Sequence, residues 1–349
     1  MAKGRNNNKL TKFKKVEPAE LTLNFTLGYG IAEAKRAYID LSQCASLVNR
    51  RFYRQGLAWA VAGFTLHSDA GAQGSVTISK LPSTWAFSNA WHKGLSVWEQ
   101  MNDEALEDNE SLRPRFLDFK IYADQEHHEV GFKENLLPME TDTTGLRIYA
   151  KPGEWAPSSL DIPIGSGPTS SATHPRTFLG VGANYPGVGG DTPGTDAVSL
   201  IEGYAASRGL PNIQDPNTPD DAVGSTGQYP TNWIAAVSNE GTGQDQEVLG
   251  HLTTENNIAP YPFENDGTSV DTMYPGGANQ LGAMVLVDKM STYSTTETGI
   301  TNRMTAKGGV FPCGLIQLNA SYALNNSILQ VHLVPGHHRG YMAEPMQDL

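Results

Sequence analysis

The chain has 349 residues, with abundant Gly and Pro (36 and 21), 18% charged residues and a formal net charge of −12. No apolar run reaches the ~18 residues of a membrane-crossing helix, and no apolar core follows the basic N-terminus, so neither a spanning helix nor a secretory signal is expected. The length suits one large domain or two modest ones. The reading adopted is a basic arm over residues 1–17, then a single domain over 18–349 with large loop insertions at about 125–280.

Charge is unevenly placed. Lys3, Arg5, Lys9, Lys12, Lys14 and Lys15 stand in the first fifteen residues without an acidic neighbour, and subtracting this +6 from −12 leaves −18 for the rest. A short basic arm on an acidic body is the asymmetry expected when one end meets a polyanion. The plainer reading is a solubilising tail.

Glu20–Gly30 (ELTLNFTLGYG) alternates Leu21, Leu23, Phe25 and Leu27 with polar partners, the pattern of a half-buried strand. Tyr38–Arg54 reads as a strand entering a short helical turn. Leu57–Ser68 is an apolar run of strand length, and after a turn at Asp69–Gly74 the stretch Ser75–Leu81 alternates Val76 and Ile78 with Thr77 and Ser79, so the two read as a strand pair. Pro82 stops the second. Ser88 or Asn89 can then cap a helix to about residue 107, with Trp91, Leu95, Trp98 and Met101 on its apolar side and His92, Lys93, Glu99 and Asp103 facing away. Arg115–Asp124 alternates again and reads as a strand.

Residues 125–230 are less regular. Strand-like pieces at Leu146–Ala150, Leu160–Ile164 and Thr177–Val181 are separated by loops rich in Gly, Pro, Ser and Thr at 165–171, 185–196 and 215–227. A helix pair is expected within 231–257. Strands return at Ala283–Asp288 and Cys313–Asn319, and Ile328–Val334 follows as a hairpin across Leu324–Ser327, where Asn325 and Asn326 tolerate positive φ. The fold class is all-β: a β-sandwich with long loops and a few inserted helices.

Few residues point to chemistry. His127–His128 and His337–His338 are adjacent pairs; on strands each offers one ligand, so a zinc site needs the pairs to meet with Glu126 or Glu129, and surface or interface histidines are the preferred reading. GVGANYPG (Gly180–Gly187) lacks the following helix of a phosphate loop. Asp215, Asn217, Asp220 and Asp221 are calcium candidates, but Pro216 and Pro219 interrupt the spacing and a solvated loop is the default. Trp59, Trp85, Trp91, Trp98, Trp155 and Trp233 fit core packing better than sugar platforms. Cys44 and Cys313 read as two buried free thiols. No catalytic residue or cofactor is assigned.

The stretches SKLPSTWAFSNAWHKG (Ser79–Gly94), RPRFLDFKIYAD (Arg113–Asp124), VSLIEGYAASRGLPNIQDPNTPDD (Val198–Asp221), TTENNIAPYPFENDG (Thr253–Gly267), DTMYPGGANQ (Asp271–Gln280) and GGVFPCGLIQL with VHLVPGHHRGY (within Gly308–Tyr341) resemble capsid proteins of small circular single-stranded DNA viruses of environmental and marine origin. The resemblance implies a jelly-roll sandwich that self-assembles into an icosahedral virion shell around circular ssDNA, with a host receptor as a further partner. It also implies that Lys3, Arg5, Lys9, Lys12, Lys14 and Lys15 neutralise genome phosphates without reading sequence. Such proteins usually carry longer, Arg-richer arms and a basic balance, and this chain departs from both. The alternatives are the double-jelly-roll shell subunit of a tailless phage, a carbohydrate-binding or glycosidase-like sandwich presenting Trp155, and a cupin-type metalloenzyme.

Overall fold

The computed structural model describes residues 18–27, 36–107, 110–141, 144, 147–163, 173–184, 197–207, 284–293, 302–321, 324 and 327–349. Alternation at the start of the chain becomes β1 (Thr22–Thr26), with Leu23 and Phe25 buried. β2 (Ala37–Asp40) runs directly into α1 (Leu41–Asn49), because the Asp40 carboxylate accepts the N–H groups of Ser42 and Gln43 and so caps the helix. Then come β3 (Leu57–Ser68), β4 (Gly74–Lys80), α2 (Trp85–Ala105), α3 (Gln125–Val130), β5 (Met139–Thr141), β6 (Arg147–Tyr149), β7 (Ser159–Pro163), β8 (Thr173–Leu179), β9 (Ala197–Ser199) and α4 (Leu200–Ser207). The C-terminal part holds β10 (Val285–Thr292), β11 (Asn302–Phe311), β12 (Leu315–Ala320), β13 (Ile328–Leu333) and three short strands, β14 (Pro335–Gly336), β15 (Gly340–Tyr341) and β16 (Ala343–Pro345). No described helix is long and apolar enough to cross a membrane.

Two antiparallel sheets form an all-β sandwich. One has the order β1-β13-β3-β11, with β16 also on β3; the other is β10-β4-β12-β2. Their inner faces share one core, with Phe25, Phe64, Leu66, Leu329 and Val331 from the first sheet and Ile39, Val76, Ile78, Ile316 and Leu318 from the second.

Several expectations change. β3 and β4 are consecutive but lie in opposite sheets, and so are β12 and β13, so neither forms a hairpin. The connections at 69–73 and 321–327 are long enough to cross the roughly 10 Å between stacked sheets, whereas a two-residue turn would have forced pairing. Arg115–Asp124 is not a strand: it starts in a turn, ends in a bend, and joins no ladder beyond a bridge from Tyr122 to Leu179. Two of its N–H groups go to side chains, Ile121 to Gln55 Oε1 at 2.6 Å and Lys120 to Ser158 Oγ at 2.9 Å, and that of Tyr122 goes to the Phe178 carbonyl. Because the segment is enclosed on both sides, Asp118 and Tyr122 are buried along with Phe119 and Ile121, against the alternation.

α2 begins earlier than expected. Thr84 caps it through the Phe87 N–H, while Ser88 lies inside and donates to the Met346 carbonyl, and Asn89 donates to the Tyr204 hydroxyl. β11 is not among the expected strands: NRMTAKGGVF has no clear period, and Gly308 serves close approach to β3. A Cβ on Gly308 would lie 1.9 Å from the Val61 carbonyl oxygen. Cys44 and Cys313 are buried free thiols, as read. The loops at 165–171, 185–196 and 215–227 and the helix pair within 231–257 lie outside the described residues.

β2 and the start of β12 are buried on both faces, since a second core covers the outer side of their sheet. Tyr38 and Leu315 point into it, joined by Phe87, Trp91, Leu95 and Trp98 of α2, by Phe119, and by Leu160, Phe178, Val198 and Tyr204 of the elements from β7 to α4. Phe119 is its centre, with ring centroids 5.9, 5.5 and 4.9 Å from Trp91, Trp98 and Phe178. Each such pair contributes about 0.5–1.5 kcal/mol beyond burial of its area. The described elements from α2 to α4 are thereby docked on the sandwich through aromatic packing.

Candidate functional site

Beneath that aromatic layer a chain of buried polar side chains ties the sandwich to the inserted segment. Asp40 is fully buried. Its Oδ1 accepts the Ser42 and Gln43 N–H groups at 2.9 and 3.1 Å, and its Oδ2 accepts from Gln55 Nε2 and Trp155 Nε1, both at 2.9 Å. Burial pushes the carboxyl up to about 6, the hydrogen bonds opposing only part of that rise. Gln55 also donates Nε2–H to the Ile121 carbonyl, and its backbone N–H goes to buried Asp118.

Gln43 accepts from Asn135 Nδ2 at 3.0 Å, and Asn135 Oδ1 lies 2.9 Å from His127 Nε2. The Ala123 N–H donates to His127 Nδ1 at 3.0 Å, so the ring proton belongs on Nε2 and is directed at Asn135. Burial drives His127 down to about 3, so the ring is neutral. It stacks on Tyr38, with centroids 4.3 Å apart and planes 6° from parallel. The Tyr38 hydroxyl donates to Asp124 at 2.6 Å and is held far above its ordinary pKa by burial and by that carboxylate. Gln317 of β12 donates to Tyr38 and to Asp124, and Asp124 caps α3 through the His127 N–H.

The chain surfaces in a groove of about 570 Å³ lined by Arg36, Asp124, Glu126, Glu129, Met284 and Gln317 among others. The Arg36 guanidinium lies 3.0 Å from Glu126 and 3.9 Å from Asp124, so two of these acids are already countered. Every proton-bearing member of the chain sits in a closed donor–acceptor pair. Such an arrangement holds elements in register.

The residues singled out by sequence fall apart spatially. Lys3, Arg5, Lys9, Lys12, Lys14 and Lys15 lie outside the described residues, as do Asp215, Asn217, Asp220, Asp221 and Trp233. The EHHE stretch is helical (α3), not a strand, and His127 is buried in the core rather than at a surface. With both ring nitrogens committed it has no lone pair for a metal. His128 faces Tyr122, whereas His338 meets Tyr53, so the two pairs keep different company. Among the described residues no group of three or more His, Cys, Asp or Glu could hold a metal ion.

Trp59, Trp91 and Trp98 are core residues, as expected. Trp155 is not an open platform: its N–H is spent on Asp40, and the Lys120 ammonium lies 4.7 Å from its ring centroid. Asn184 of the glycine-rich stretch ties back to β9, accepting the Ser199 N–H at 2.7 Å.

Sequence reasoning passed over Asp40, Gln43, Gln55, Asn135 and Gln317. The available signal was a polar residue inside an otherwise unbroken apolar run, as in YIDLSQC and LIQLNA, because such a residue must be buried with partners. No protein-family model matches the chain, and neither does any curated protein or solved structure.

Proposed function

We propose that the sandwich is a jelly roll and that the protein is a viral capsid protein, assembling with copies of itself into a closed icosahedral shell around circular ssDNA. The observation that supports this reading is strand order. If β1, β2, β3, β4, β10, β11, β12 and β13 are counted one to eight, the sheets run 1-8-3-6 and 5-4-7-2. First pairs with last, second with seventh, third with sixth and fourth with fifth, all antiparallel. A long hairpin rolled so that successive pairs alternate between sheets has this order. Jelly rolls of this kind serve viral capsids, lectins and cupins.

Among those three, the capsid reading agrees best with the side chains. Trp155 and His127, on which a sugar platform or a metal site would rest, are consumed by internal bonds. Among the described residues edge strand β10 pairs with β4 alone and exposes Leu286 (61%), followed by Tyr293 (74%). An apolar edge of this sort is what proteins cover, and another subunit is a natural cover. The arm residues Lys3, Arg5, Lys9, Lys12, Lys14 and Lys15 then meet genome phosphates inside the virion.

Negative-stain electron microscopy of the purified protein in low and high salt is the test. The expected result is uniform closed particles with salt-dependent nucleic acid content. A monomer under every condition would overturn the proposal.

A further inference from the structure

The segment from Arg50 to Arg54 gathers features that the shell reading does not use. α1 ends at Arg50, whose φ of 52° is left-handed. The rings of Phe52 and Phe116 then meet at 5.2 Å, and Phe116 is 59% exposed, unusual for a residue of its size. The Arg54 guanidinium carbon lies 5.7 Å from the Phe52 centroid and that of Arg115 lies 5.5 Å from the Phe116 centroid. Arg54 donates to the Leu117 carbonyl and Arg339 to the Phe52 carbonyl, which orients both guanidinium groups while leaving most of their five N–H donors unused by those bonds.

Among the described residues no carboxylate lies within salt-bridge distance of Arg50, Arg54, Arg115 or Arg339. Asp118, which feels Arg54, is buried and lies 3.7 Å from Lys120. A half-buried Phe52 and an exposed Phe116, each with an arginine beside its ring, are thus set on a body whose remaining charge is strongly negative. The residues that follow the N-terminal arm meet the fold here: Arg51 donates to the Pro18 carbonyl at 3.4 Å, and the Glu20 N–H to Asn49 Oδ1 at 3.1 Å.

We propose that this face is a second single-stranded DNA site at the root of the arm, in which Arg50, Arg54, Arg115 and Arg339 take phosphates and Phe52 and Phe116 stack bases. The inference deepens the proposed function and rests on its ssDNA reading. Single strands fit better than duplex because only unstacked bases present a π-face to an exposed ring, and such stacking tolerates any sequence. Arginine serves both halves of the site, pairing with phosphate oxygens and lying flat on aromatic rings. It also answers the shortness of the arm, since a strand held at the root needs fewer arm charges to stay bound.

The test is fluorescence anisotropy of labelled oligo-dT, and of a duplex of equal length, with the full-length unassembled chain across a salt series. Phe116→Ala should weaken oligo-dT binding about tenfold and leave the duplex unchanged, as loss of one stacked base predicts. Phe116→Trp should restore binding, and Arg115→Ala should lower the salt slope by about one. Phe116 is exposed, so unchanged thermal midpoints would confirm that its variants fold. If Phe116→Ala and Arg115→Ala bind like the parent while a full-length chain with Lys9, Lys12, Lys14 and Lys15 changed to Ala does not, the site is refuted and the arm alone binds. Equal loss of duplex and oligo-dT binding in Phe116→Ala would also refute it. Closed particles from a parent chain that binds no oligo-dT would refute the site and leave the shell standing.

Discussion

Replacing Asp40 by Asn keeps the volume of the side chain and removes its charge, so it separates two opposing contributions of one buried group. The native carboxyl is pushed from 3.8 up to about 6. Two units at 1.36 kcal/mol each put the cost of burying its charge at ~3 kcal/mol at neutral pH. Because the native value is raised, the folded protein holds a proton between about pH 4 and pH 6 that the unfolded chain has released. Stability from this group is therefore greatest below pH 4 and is lost as pH rises through 6. Asn escapes that loss, but it places an amide N–H₂ where Oδ2 received Gln55 Nε2 and Trp155 Nε1. Gln55 cannot turn over to help, since its Oε1 holds the Ile121 N–H at 2.6 Å. Two buried donors without acceptors cost about 1–3 kcal/mol each. Asp40→Asn should thus destabilise by roughly 2–6 kcal/mol at pH 4 and by about 3 kcal/mol less at pH 7. Urea unfolding of the dissociated subunit at both pH values measures this, because every other carboxylate cancels in the difference between variant and parent. A difference that does not change with pH, or that grows toward pH 7, would refute the reasoning.

Two other outcomes follow from packing. Gly308→Ala drives a methyl group into the Val61 carbonyl on the neighbouring strand, so it should cost at least the 1–3 kcal/mol of an overpacked core and detach β11 first, seen as faster amide exchange along that strand; parent-like exchange there would contradict the close approach. Cys44 lies in the sandwich core and Cys313 in the second core, both fully buried with their thiols raised by burial, so neither should react with a thiol reagent in the native protein and both should in the urea-unfolded protein; rapid labelling of either in the native chain would show the core around it to be open.

β1 and β4 were readable because each has one buried and one wet face, so apolar residues alternate. β2 and β12 gave weaker patterns, since Tyr38 and Gln317 on their outer side are buried under the second core while Ile39 and Ile316 fill the first. β11 left no pattern, because an edge strand chosen for close backbone approach needs glycine where a period would show. Thr84 was missed as a helix cap because Ser88 and Asn89 satisfy the same chemical rule; burial of Ser88 against Met346 excluded them, and that contact spans most of the chain.

The candidate site was less legible still. Asp40 accepts from Gln55 and Trp155 only because the fold brings residues 40, 55 and 155 together. Likewise Phe52 and Phe116 are unremarkable in their own stretches, and only their contact makes a surface.

The sequence by itself determined the local matters: which stretches alternate, that both cysteines would be buried, and that a positive arm precedes a negative body. Each depends on side chains within a few residues of one another. Tertiary structure alone decided which strand lies beside which, as when Thr22 comes opposite His332. Ladder bonds are made by backbone N–H and C=O groups that nearly every residue carries, so partners are selected by the packing of two whole sheets and no short stretch of side chains names them.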